Sequence, residues 1–152
     1  KYMRKIKSEK DMTVQEKIKS IATRIEGTAY LFMNWAQTNV ALDTIDKPTI
    51  VYVLPPSGTL NVKYASVTDS PLTQIAFLDK TDFDFDSTEN DEVIERMKGL
   101  FYTFLREYNK GEYFEPIEGD IPYQVVYDKL DVNVTGIVVT LTLVELEGSE
   151  IC

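Results

Sequence analysis

The chain has 152 residues, 43% of them hydrophobic and 11% aromatic, a composition typical of one globular domain with a sizeable core. Its formal net charge of −9 argues against general nucleic-acid binding, which needs lysine and arginine opposite the phosphates. It contains no histidine, so the commonest general base is missing. With Cys152 as its one cysteine, an internal disulfide and a Cys/His zinc site are excluded.

The first predicted elements follow a basic segment, residues 1–12. This segment is either an N-terminal extension that contacts an acidic partner or a frayed start to the first helix. Thr13 and Glu16 form a capping box, and isoleucines at helical spacing predict a helix over residues 14–26. Gly27 is the expected residue after its C-terminus. Ala29–Met33 then predicts a short strand.

Residues 34–47 predict a long connection with scattered apolar anchors. The β-branched and aromatic run at 49–54 predicts a central strand, and a Pro-Pro-Ser-Gly turn follows it. The alternation at 60–65 predicts a half-buried strand that returns beside the central one. A second turn at 68–71 would lead into a strand over 72–78, so the pattern predicts an antiparallel meander.

An acidic repeat, Asp82, Asp84 and Asp86, follows the meander and invites a calcium interpretation. In an EF-hand loop that starts at Asp82, position 6 would be Ser87 and position 12 would be Val93, where the motif requires Gly and Glu. We therefore expect a solvated acidic face and no metal site.

The strongest helical pattern predicts a long helix over about 88–108, with Ser87 or Thr88 as N-cap and Gly111 beyond its end. Its apolar stripe, at steps of three and four residues, consists of Val93, Met97, Leu100, Phe101, Phe104, Leu105 and Tyr108. We expect Met97, Phe101 and Phe104 to be buried against the sheet. Their predicted contacts are Ile50, Tyr52, Phe77 and Ile137.

Alternating patterns predict two further strands, over 123–127 and 134–146. The predicted fold is α+β, a mainly antiparallel sheet with an N-terminal helix and a long central helix packed on it. The domain would comprise residues 13–147, followed by a polar C-terminal tail at 148–152.

No catalytic, cofactor or metal-binding motif occurs in the sequence, and no apolar run approaches the roughly 20 residues that span a bilayer. We therefore expect a non-enzymatic protein without a cofactor, a small-molecule substrate or a membrane partner. Apolar residues in the connection and the hairpin predict contacts between subunits, with packing on their own sheet as the alternative. The predicted interface residues are Trp35, Val40, Leu42, Leu60, Val62 and Tyr64.

The order of predicted elements resembles that of the tail-terminator, or tail-completion, proteins of long-tailed phages, whose architecture the head–tail neck proteins share. The resemblance covers about residues 13–147. It lies in the capped first helix, Tyr30-Leu31-Phe32, Asp46-Lys47-Pro48, the strand from Thr49 to Leu54, the hairpin to Tyr64, Ile75-Ala76-Phe77-Leu78 before the acidic helix, and Leu143-Val144-Glu145-Leu146.

The resemblance implies a structural subunit of the virion, made in the host cytoplasm, that assembles with itself into a ring, usually a hexamer. Such a ring caps the tail tube and joins it to the head connector, so the implied partners are tail-tube and head-connector proteins. The residues themselves also leave open a monomeric binding module or a small enzyme of unknown type.

Overall fold

A computed structural model describes residues 12–34, 46–81, 87–129 and 134–146, and these contain two helices and six strands. In chain order they are α1 (Val14–Ala22), β1 (Ala29–Met33), β2 (Thr49–Val53), β3 (Gly58–Lys63), β4 (Ser66–Lys80), α2 (Ser87–Tyr108), β5 (Tyr123–Lys129) and β6 (Val134–Thr142). The predicted α+β class is confirmed.

The strands form a single sheet in the order β1-β2-β4-β6-β5, and β3 pairs with β4 outside this path. The pairs formed by β4 and β6 are all antiparallel, while β1 runs parallel to β2. β2 lies between β1 and β4, and its five residues are all buried. The sheet is therefore mainly antiparallel, as the alternating patterns predict.

Both helices contribute to a single core on one face of the sheet. Phe77, on β4, contacts two rings of α2, with centroid distances of 5.5 Å to Phe101 and 5.7 Å to Phe104. The predicted packing of α2 is confirmed, because all the named contact residues belong to this buried cluster: Ile50, Tyr52, Phe77, Met97, Phe101, Phe104 and Ile137.

A smaller buried cluster lies on the opposite face of the sheet, and within the described ranges none of its residues comes from a helix. Its buried members are Val51, Val53, Ala76, Leu78, Val134 and Val138. Gly136 lies on β6 beside β4, and a Cβ atom added to it would lie 2.0 Å from the carbonyl oxygen of Phe77. Glycine is the residue that permits this close approach.

The first helix is shorter than predicted, because α1 ends at Ala22 and not near residue 26. The backbone N–H of Arg24 donates to the carbonyl of Ile21 at 3.2 Å, so the chain tightens into turns after the last α-helical residue. The predicted capping box is present, and Gly27 has the expected positive φ of 77°.

Two other boundaries differ from the predictions. The second helix begins at Ser87, so both predicted N-cap residues, Ser87 and Thr88, lie inside it and neither precedes it as a cap. The strand β6 ends at Thr142, because residues 143–146 leave β4 and pair with another segment. There the N–H of Glu115 donates to the carbonyl of Val144 at 2.8 Å, and the N–H of Leu146 donates to the carbonyl of Tyr113 at 3.0 Å.

The predicted meander is wrong. Both β2 and β3 pair antiparallel with β4, so β3 continues in the direction of β2 and does not return beside it. The chain reverses at Tyr64 and Ala65, while residues 68–71, predicted as a turn, lie inside the 15-residue β4.

A proline in the middle of β4 is tolerated because Pro71 lies opposite Gly58, next to the irregular residues 54–57 that separate β2 from β3. A Cβ atom on residue 58 would lie 2.8 Å from the Cα of Pro71, so glycine is needed on the opposite strand. The turn residues in the sequence therefore mark an interruption of a long hairpin and not its end.

Candidate assembly surface

The distal part of the long hairpin projects beyond the sheet. We call residues 58–71 the arm; it comprises β3 and the first part of β4. In the described part of the chain, β2 pairs with β4 only from Gln74 onward, and β6 only from Leu72 onward. The arm is therefore a two-stranded ribbon about 20 Å long, at roughly 3.3 Å per residue.

One face of the arm is apolar and exposed. Residues paired across an antiparallel ribbon share a face, which places Leu60 beside Asp69 and Val62 beside Val67. The side chains of Leu60 and Val62 remain 65% and 71% exposed, and Tyr64 at the tip is fully exposed. The prediction that this strand is half-buried is wrong, because all six residues of β3 are exposed.

The opposite face of the arm is polar and borders a groove of about 550 Å³. The arm residues that line this groove are Asn61, Lys63, Ser66 and Thr68. Val144 and Glu145 lie on its other side. The arm thus presents its polar face to the groove and its apolar face to solvent, which is the reverse of the arrangement expected for a hairpin that only packs on its own domain.

The base of the arm is attached to the body by Glu145. One carboxylate oxygen accepts a hydrogen bond from Lys17 Nζ at 2.5 Å, and the other accepts one from the backbone N–H of Asp69 at 2.9 Å. Both charged side chains are buried, with exposed fractions of 0% for Lys17 and 2% for Glu145. The Ser70 hydroxyl also donates to the carbonyl of Leu143. A buried ion pair thus connects α1, the arm and the segment after β6.

The carboxyl group of Asp69 lies in an unfavourable environment. Partial burial raises its pKa above the ordinary value, and the nearby Glu145 carboxylate raises it further, although a hydrogen bond from the backbone of Ser70 opposes the shift. An acid with a raised pKa binds protons more tightly in the folded than in the unfolded state. Its contribution to stability therefore falls as the pH rises from its ordinary pKa through the raised value.

We therefore expect Asp69→Asn to raise the melting temperature of the dissociated subunit at pH 7 and to have almost no effect near pH 3, where the carboxyl group is protonated in both states. Thermal denaturation followed by circular dichroism at both pH values measures this difference. Asp120→Asn, the same charge change at an exposed position, is the control. A lower melting temperature for Asp69→Asn at pH 7 would mean that this carboxylate makes a net favourable contact.

A second exposed apolar surface lies between α2 and β5. This α2–β5 groove has a volume of about 300 Å³. It is lined by Lys98, Phe101, Tyr102, Leu105, Gly119, Ile121, Tyr123, Ile137 and Val139. Tyr102 is 65% and Tyr123 is 50% exposed, and Lys98 Nζ lies 5.1 Å from the centroid of the Tyr123 ring. The sequence pattern does not indicate this surface, although Tyr102 lies outside the apolar stripe of α2.

The predicted interface residues fall into two groups. Leu60, Val62 and Tyr64 lie together on the arm and are exposed. Trp35, Val40 and Leu42 lie outside the described residues, as does the acidic repeat at 82–86.

Among the described residues, no three Asp, Glu or Cys side chains are grouped closely enough to hold a metal ion. Neither described helix is both long and apolar enough to cross a bilayer. Comparisons of the chain with protein-family models, with curated proteins and with solved structures gave no match.

Proposed function

We propose that the protein is a non-enzymatic virion assembly subunit that closes into a ring, as a tail terminator that caps the tail tube and joins it to the head connector. The arm is the observation that carries the proposal. Its apolar face is exposed on a projecting ribbon. Exposed apolar groups on a projecting element are typical of surfaces that contact another protein.

A ring requires each subunit to present two different surfaces, one that reaches out and one that receives. An arm that extends beyond its own sheet supplies the first of these. Its attachment through the buried pair of Lys17 and Glu145 supports this role, because a projecting element must have a fixed direction to meet a neighbour at a defined angle.

The element order supports an assignment to the tail terminators, whose architecture the head–tail neck proteins share. The elements that carry the resemblance follow one another in this order: the capped α1, the strand pair β1 and β2, the long hairpin, the acidic start of α2 and the final strand. A virion subunit of this kind has no reaction to catalyse, which is consistent with the absence of a catalytic motif in the sequence.

The arm can be tested with Leu60→Thr/Val62→Thr, which removes apolar surface and places at both positions a β-branched residue that suits a strand. We expect this variant to weaken self-association by more than about 1 kcal/mol, as for a residue that anchors an interface. Its melting temperature should stay close to that of the unmodified subunit, because both side chains are exposed. Sedimentation velocity over a range of concentrations, with electron microscopy of the rings, measures the effect.

Asn61→Thr, on the polar face of the same strand, is the matched control and should leave association unchanged. Purified tail tubes should be included, because some ring proteins close only on their partner. A chain that stays monomeric at high concentration, forms no ring and does not bind tail tubes contradicts the proposal and favours a monomeric binding module.

A further inference from the structure

Among the described residues that line the α2–β5 groove, one is charged, and it is cationic although the protein has a net charge of −9. This residue is Lys98, whose Nζ also forms an ion pair with Glu95 at 2.9 Å. Outside the lining, the exposed Arg106 follows Tyr102 by one helical turn. Apolar area bordered by positive charge suits a partner surface that is apolar and bordered by negative charge.

The apolar face of the arm has this complementary composition. Leu60 and Val62 supply exposed apolar area, and Asp69 lies directly opposite Leu60 on the same face. The carboxylate of Asp69 is destabilised in its own subunit by burial and by Glu145. A cation from another chain would offset that cost, since an opposite charge nearby stabilises a carboxylate.

The two surfaces belong to different elements of the same chain. The groove lies at the β5 edge of the sheet, whereas the arm extends from the end of the central strand β4. A projecting surface and a receiving surface at separate positions form the heterologous pair that joins identical subunits head to tail.

We propose that the arm of one subunit docks into the α2–β5 groove of a second copy, with Leu60 and Val62 against Tyr102 and Tyr123 and with Asp69 facing Lys98 and Arg106. This inference rests on the proposed function, because it names the two halves of the contact that a ring would repeat. The occupant of the groove is therefore a second copy of this chain.

Disulfide formation between two different single-cysteine chains tests the contact directly. In a Cys152→Ser background, which removes the only cysteine of the sequence, Leu60→Cys is mixed with a Tyr102→Cys chain that carries a longer tag. After oxidation, the mixture should give a heterodimer band on a non-reducing gel. A disulfide forms only when the Cα atoms come within about 7 Å, so the band reports direct contact.

The matched control is Asn61→Cys mixed with Tyr102→Cys, because Asn61 points to the opposite face of the arm. We expect no heterodimer, or a much weaker band. If the two pairs react equally, or if neither reacts although rings form, the docking site is elsewhere. Such a result overturns this inference and leaves the proposed function standing.

The charge complementarity is tested with Arg106→Glu. We expect self-association to weaken by about fivefold in low salt and by less in high salt, because opposite charges at an interface rim act through a screened interaction. Lys19→Glu, the same type of change at an exposed position on α1, should change association less than about twofold if rim charge matters only at the groove.

The remaining outcomes are also decisive. Complete absence of self-association, with and without tail tubes, overturns both this inference and the proposed function. If Leu60→Cys lowers the melting temperature and leaves association intact, the apolar face of the arm packs on its own chain and the groove is not its docking site.

Discussion

Glu145→Ala is expected to lower the free energy of unfolding by about 3–5 kcal/mol, because it breaks the buried ion pair by removing the carboxylate that Lys17 contacts. Both side chains are almost fully excluded from solvent, and their charged atoms are 2.5 Å apart. The substitution also removes the acceptor of the Asp69 N–H at the base of the arm. Urea denaturation at pH 7 measures the loss.

A second variant distinguishes the cost of breaking this ion pair from the stability that the pair itself contributes. Lys17→Met/Glu145→Leu replaces both charges by apolar side chains of similar size, and we expect it to recover most of the lost stability, since a buried ion pair is often no more stabilising than an apolar pair. The interpretation would be contradicted if Glu145→Ala cost less than about 1 kcal/mol, because that outcome requires that Lys17 be stabilised by solvent or by another group.

Phe104→Ala is expected to destabilise the fold by about 3–5 kcal/mol, the usual cost of removing a buried aromatic ring from a core. Its side chain is fully buried, and its ring lies 5.7 Å from that of Phe77 and 6.1 Å from that of Tyr108. The change therefore opens a cavity between α2 and the centre of the sheet. Chemical denaturation gives the free energy of unfolding.

Tyr102→Ala is the matched control, because it removes an aromatic ring from the same helix at a position that is 65% exposed. It should change the free energy of unfolding of the dissociated subunit by less than about 0.5 kcal/mol, as is usual for surface substitutions. If Phe104→Ala cost no more than this control, the packing of α2 on the sheet would be wrong.

The layer structure could be predicted because hydrophobic periodicity reports which face of an element is buried. The step of three and four residues in α2 identifies the side that packs on Phe77, and the alternation in β6 identifies Ile137 and Val139 as core residues. These predictions need no knowledge of the neighbours, since each element must bury its own apolar stripe.

The hairpin could not be predicted correctly, because turn residues are a local signal and strand pairing is not. Pro55-Pro56-Ser57-Gly58 and Ser70-Pro71 both resemble chain reversals, but they lie opposite each other where the ladder is interrupted. The real reversal occurs at Tyr64, with a φ of 41°, a conformation for which tyrosine gives no sequence signal.

The candidate site was predicted in part. The alternation of Leu60, Val62 and Tyr64 indicates an apolar face, but whether such a face is covered depends on the rest of the fold, and here it is exposed. The pair of Lys17 and Glu145 was not predictable, because its members are separated by 128 residues and a lysine on an amphipathic helix is ordinarily expected in solvent.

The continuity of β4 has a mechanical consequence. A single strand of 15 residues forms one side of the arm and then passes between β2 and β6 in the middle of the sheet. A pull on the tip along this strand is perpendicular to the hydrogen bonds of both antiparallel ladders. Many bonds then share the load in shear and do not break one after another as in a zipper, so tension at the tip is transmitted along covalent backbone into the middle strand of the sheet.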